Sequence, residues 1–124
     1  QDFALTPLEV GTTIQLEEVY FERGTAQLLN ESFNELDRVV EMMKENPGVK
    51  IELSGHTDNQ GNSKLNLQLS QERVDIVKRY LTEHGIENSR IKGKGYGGTR
   101  PVASNASEET RRLNRRVEFT ILKN

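Results

Sequence analysis

Residues 49–56 constrain the fold of this chain more than any other stretch. Val49, Ile51 and Leu53 alternate with Lys50, Glu52 and Ser54, the period of a strand with one face buried. The run passes straight into Gly55 and His56. On both sides the period changes. Before it, Phe33, Leu36, Val40 and Met43, with Val39 beside them, recur at three and four until Asn46-Pro47-Gly48 stops the helix. After it, Val74, Val77 and Leu81, widened by Ile76 and Tyr80, form a second helical stripe. His84-Gly85-Ile86 closes that stripe, read as a glycine just past the helix end followed by an apolar contact. A half-buried strand between two amphipathic helices calls for a sheet with helices packed against it.

The remaining segments fit that plan. Residues 1–12, with Pro7 and Gly11 and no periodicity, read as a linker or an arm lying on the domain. Ile14 and Leu16 alternate, and Val19 and Phe21 alternate on the opposite parity, which predicts a bulge or two short strands joined at a bend. Asn30 is the expected N-cap of the first helix, placed at residues 31–46. Ser70 is the clearest cap for the second, with residues 62–68 adding a turn or two ahead of it, and that helix runs to about residue 84. Ile91 opens a strand that enters the glycine run at 93, 95, 97 and 98; residues 107–110 open a short helix, and Val117, Phe119 and Ile121 alternate as the last strand. The expected architecture is α+β, a βαβαββ sandwich with a mixed four-stranded sheet and two main helices on one face. One domain spans 13–124, with the arm at 1–12.

Composition removes several classes of function. There is no cysteine, hence no disulfide and no thiolate metal site. No run approaches the roughly 20 apolar residues of a membrane helix, and no basic-then-apolar leader opens the chain, so the chain is read as a soluble domain. The formal net charge is only −2, but it is unevenly spread. Residues 1–89 hold 8 basic and 16 acidic side chains, while 90–124 hold 9 basic and 3 acidic. The basic tail, with Arg111, Arg112, Arg115 and Arg116, lacks the interleaved aromatics of a nucleic-acid surface. No nucleic acid is expected as a partner.

Chemistry concentrates between Gly55 and Arg73. Asp58 lies just past a strand end in a loop with Gly61, and Arg73 follows Ser70 by three residues. A carboxylate and a guanidinium facing one small space bind a zwitterion, the first taking an ammonium and the second a carboxylate. A cation in the first turn of a helix opposes the macrodipole, which suggests that Asp58 and Arg73 face each other; the alternative is a plain surface ion pair. His56 is expected to orient the loop by hydrogen bonding, because His84, the third ligand a His56–Asp58 metal site would need, lies far along the helix. No Ser near His56 occupies a nucleophile turn, and Gly93-x-Gly95-x-Gly97 has no helix opening on it. No catalytic residue, cofactor or metal is expected. Arg115 and Arg116 point to opposite faces of a strand, so one of them reaches the pocket.

Gly55-His-Thr-Asp58, Asn66, Leu69-Ser70-x-x-Arg73, Tyr80-Leu81 with Gly85-Ile86, Gly95-Tyr96-Gly97 with Pro101, and Asn114-Arg-Arg-Val117 together resemble the OmpA-like C-terminal domain family, over about Val19 to Phe119. The resemblance implies a non-enzymatic domain in the periplasm of a Gram-negative-type cell that binds peptidoglycan peptide stems. It implies that Asp58 accepts from the ammonium of meso-diaminopimelate and that Arg73 holds the carboxylate at the same centre. Thr57, Asn66 and Leu69 match pocket-lining positions, with Arg115 as a further candidate. The implied role is a cell-wall anchor, tethered to the outer membrane through other parts of a parent protein, with envelope proteins as further partners. The chain departs from the family at Phe21-Glu22-Arg23-Gly24, where Phe-Asp is common. The rival expectation is a periplasmic protein-interaction module of the same fold, without wall binding, in which Asp58 and Arg73 are a structural pair.

Overall fold

The computed structural model describes residues 8–124. Its four strands are β1 (Thr13–Gln15), β2 (Lys50–His56), β3 (Ile91–Gly97) and β4 (Arg116–Lys123), with helices α1 (Phe33–Glu45), α2 (Ser63–Glu83) and the short α3 (Glu108–Arg111) between them. The strands lie in the order β1-β4-β2-β3. β4 runs antiparallel to both neighbours, and β2 and β3 are parallel, so the sheet is mixed, as the alternation of periods predicts.

Register decides what faces the helices. Ile51 sits opposite Ile91 and Ile121, and Leu53 opposite Phe119. These side chains merge with Leu36, Val39, Val40 and Met43 of α1 and with Val74, Val77 and Leu81 of α2 in one continuous core. The other face carries the alternate residues and is polar, with Thr13 hydrogen-bonded to Thr120 and the Tyr96 hydroxyl donating to Glu52. α2 lies almost on β3. A methyl added at Gly95 would sit 2.3 Å from the Gln71 backbone nitrogen, so only a residue without Cβ permits this approach.

Several expectations change in detail. The early parity shift corresponds to a break: β1 covers only three residues, a turn follows at Glu17–Glu18, and Phe21 returns through an isolated bridge to Leu28. Asn30 begins a 3-10 turn, not the α-helix, and makes no side-chain cap; Ser32 instead binds back to Tyr20, accepting from its N–H and donating to its carbonyl. Ser70 is not the cap of α2. That helix starts at Ser63, where the Asn62 side chain accepts from the N–H groups of Lys64 and Leu65. The end of α2 matches its reading: Gly85 has φ 99°, Ile86 N–H donates to the Leu81 carbonyl and Gly85 N–H to that of Thr82, both orphan carbonyls satisfied by a Schellman motif. Residues 8–12 run along the end of β4, with Gly11 N–H donating to Ile121; residues 1–7 of the expected arm lie outside the described residues.

Candidate functional site

The loop after β2 is pinned to the end of β3 and to α2, which are themselves tied together. Thr57 N–H donates to the Gly97 carbonyl and the Asn66 side chain donates to Gln60 O. The Ser70 hydroxyl accepts from Gly97 N–H while donating to Leu67 O. Ser70 therefore works inside α2, tying it to the end of β3. Within the loop, Asp58 Oδ1 accepts from Gln60 N–H at 2.9 Å and the buried Thr57 hydroxyl donates to the Asp58 carbonyl.

Asp58 faces Arg115, not Arg73. Arg115 Nη1 lies 2.6 Å from Asp58 Oδ2, and its Nη2 reaches Glu108 at 2.5 Å. Glu108 above all, with Asp58 adding to it, holds the Arg115 charge in place and raises its pKa against the desolvation that lowers it. The structural Asp58–Arg73 pair of the rival reading is therefore absent. Arg73 sits about three turns into α2, well away from its N-terminus, so the helix dipole does not explain its position. Its Nε donates to the Thr25 carbonyl at 2.8 Å, and its guanidinium lies over the Phe21 ring, 4.9 Å from the centroid. Among the described residues no carboxylate lies within ion-pair distance of it. Burial, with the positive field of Arg115 adding to it, pulls its pKa below the ordinary value.

These groups border two cavities. A larger one, of about 590 Å³, is walled by Arg73, Arg112, Arg115, Arg116, Glu31 and His56, among others. It opens where β1 gives out: Leu16 N–H makes the last bond to Val117, the chain turns away, and the space beside the start of β4 stays unfilled. A smaller one, of about 320 Å³, is bordered by Asp58 and Asn66. The Asp58–Arg115 pair joins the two. Thr57 is buried and Leu69 half-buried, and neither lines these cavities. Arg115 and Arg116 both line the larger one, although only one was expected to reach it.

His56 is 5% exposed, stacked on Tyr96 with ring centroids 5.4 Å apart. Glu118 Oε1 is 3.1 Å from its Nε2, yet without hydrogen-bond alignment, and neither ring nitrogen has an aligned partner. The expected role in orienting the loop by hydrogen bonds gives way to packing. Burial, and next the adjacent Arg116, push its pKa down to about 4 despite Glu118, so the ring is neutral at pH 7. His84 closes the opposite end of α2, its Nδ1 2.7 Å from the Tyr80 carbonyl. Among the described residues no three His, Asp or Glu side chains are grouped to hold a metal, and no helix is long and apolar enough to cross a membrane.

Sequence reasoning missed Phe21 as a platform for Arg73, and Glu31 and Arg112 as cavity walls. Phe21 was visible as the last apolar residue of a broken alternation, and Arg112 as a member of the basic cluster. Nothing in the sequence distinguishes Glu31 from the other solvated acids of the first half.

Residues 20–115 match the model of the OmpA family. The chain is 37% identical over 113 residues to outer membrane porin F of Pseudomonas fluorescens, covering 90% of this chain and 35% of that protein. It is 36% identical over 103 residues to the peptidoglycan-binding protein ArfA of Mycobacterium tuberculosis, covering 83% of this chain and 32% of that one. The chain thus spans about a third of the length of these relatives. Among solved structures it is similar to the cell wall anchor of the T6SS from Pseudomonas aeruginosa, with a TM-score of 0.77 and 32% identity over 90% of this chain and 80% of that one.

Proposed function

The chain belongs to the OmpA family, and on that premise we propose that it binds peptidoglycan non-covalently, through the meso-diaminopimelate of the stem peptide, and so anchors an envelope protein to the wall. The observation that carries this reading is Arg73: a guanidinium at the wall of a cavity, desolvated, held by a ring and a carbonyl, with no carboxylate among the described residues to neutralise it. Such a group is completed by an external carboxylate, which its planar fork meets with two parallel bonds. Asp58 supplies the acceptor for the ammonium. Both its oxygens already take one bond, from Gln60 and Arg115, and a carboxylate has room for further donors. Asn66 borders the Asp58 side, Arg115 bridges the two cavities, and Thr57 acts from behind by fixing the loop.

The site works by binding rather than catalysis. The setting is the periplasm, with attachment to the outer membrane supplied by other parts of a parent protein; two relatives, named as a porin and as a peptidoglycan-binding protein, support that setting. A few charge-assisted bonds in a wet pocket give a Kd of roughly micromolar to millimolar for the free amino acid, and repeated stems on one polymer raise retention by avidity.

Sedimentation with insoluble peptidoglycan tests this. Wild type is expected to pellet, free meso-diaminopimelate to release it, and Asp58→Ala and Arg73→Ala to stay in solution while remaining folded by circular dichroism. Wild type left in the supernatant, or variants that pellet as well as wild type, would overturn the wall reading. The remaining explanation is then a protein-interaction module, which the ready-made Asp58–Arg115 pair also suits, since it leaves Asp58 neutralised without a ligand.

A further inference from the structure

The larger cavity holds more unsatisfied charge than one zwitterion needs. Of the four guanidiniums on its wall, Arg115 is paired with Asp58 and Glu108. Arg116 is buried, its Nη groups donating to the carbonyls of Asn114 and Arg100 and its Nε 3.2 Å from Glu118. Two are left. Arg73 has only the Thr25 carbonyl and the Phe21 ring. Arg112, exposed at the end of α3, spends its Nε on the Glu109 carbonyl, and no acid among the described residues pairs with it. One carboxylate on the wall, Glu31, is also without an ion-pair partner among the described residues. Arg73 and Arg112 thus offer two free guanidiniums on one wall, enough for a ligand bearing two carboxylates, whose ammonium goes to Asp58 across the Arg115 bridge.

Resting on the wall-binding reading, we propose that the cavity takes a stem segment with two free carboxylates, Arg73 holding that of diaminopimelate and Arg112 that of the neighbouring residue. In wall stems the neighbour is a γ-linked D-glutamate, whose linkage leaves its α-carboxylate free. The domain therefore distinguishes stems in which this carboxylate is free from stems in which it is amidated. Amidation replaces a charged acceptor with a neutral group carrying N–H donors, which a guanidinium cannot accept. Arg112 is the specificity residue, reading a group one residue away from the one Arg73 binds.

The test uses two soluble tetrapeptides, L-alanyl-γ-D-glutamyl-meso-diaminopimelyl-D-alanine with an amidated C-terminus, one with the glutamate α-carboxylate free and one with it amidated. Calorimetric titration of wild type is expected to give a roughly 3- to 10-fold tighter Kd for the free acid, the scale of one charge-assisted bond at a wet rim. In Arg112→Gln the two peptides are expected to bind alike, and Arg112→Lys to keep part of the preference, since charge survives without the fork. The ratio of the two affinities, not either alone, is the readout, which a general loosening of the fold would leave unchanged. Equal binding of both peptides by wild type, or a preference that persists in Arg112→Gln, overturns the assignment while the wall reading stands. Failure of wild type to bind either peptide overturns the wall reading and this one with it.

Discussion

Arg73 and His56 are set by what surrounds them more than by their neighbours in sequence. Arg73 keeps its place through the Phe21 ring and Thr25 carbonyl, both 48 or more positions upstream, so the helix-dipole argument that singled it out in the sequence does not account for where it sits. His56 shows the cost of burying a titratable ring beside a cation. Its folded pKa of about 4 lies below the ordinary 6.5, so between those values the unfolded chain binds a proton that the folded one does not. Stability is then full above about pH 6.5 and falls as pH drops towards 4, by up to about 3 kcal/mol at the bottom of the window. Urea unfolding at pH 7, 5.5 and 4.5 checks this. His56→Phe, which keeps a ring for Tyr96 to stack on, is expected to lose less stability than wild type across that range, and an unchanged slope would assign the loss to other groups.

At the scale of elements, α2 governs the site. Its packing on β3 leaves no space at Gly95, where a Cβ would meet the backbone of Gln71 and the Ser70 hydroxyl at 2.3 and 2.6 Å. Gly95→Ala is expected to cost about 3 kcal/mol, in the upper range for overpacking because backbone cannot swing aside; thermal unfolding of the variant measures it. The far end of α2 rests on Gly85 at φ 99°, and Gly85→Val is expected to lose more than about 1 kcal/mol, since a β-branched residue tolerates that conformation poorly. An unchanged Tm would reject the Schellman end as a source of stability. The cap of α2 was placed eight residues late, with a turn or two allowed ahead of it at 62–68, because periodicity reports burial. Leu65 and Leu67 are 63% and 48% exposed, so the first two turns carry no buried stripe for a pattern to reveal. Asn62, a good cap by type, was the signal that remained.

Across the whole molecule, one side chain joins three elements. Arg90, just before β3, donates from Nε to the Val49 carbonyl and from Nη2 to those of Met43 and Asn46, closing the end of α1 and the approach to β2. Arg90→Ala leaves those acceptors without their donor, and chemical denaturation is expected to show a loss of about 2 kcal/mol or more; a loss under about 0.5 kcal/mol would mean that water replaces the guanidinium without penalty. The sequence by itself determined the elements and their burial: alternation at 49–53 and 117–121, helical stripes at 33–43 and 74–81, and the glycine end at 85 each follow from local period and turn chemistry. It also singled out Asp58, Arg73 and Arg115. Only the tertiary structure decided which charges meet. β4 inserts between β1 and β2 and brings Arg115 to Asp58 across 57 positions, while the early end of β1 opens the cavity that Arg73 and Arg112 share. Ion pairing depends on the through-space position of side-chain tips, and no local period encodes a distance between segments that become neighbours only when the sheet closes.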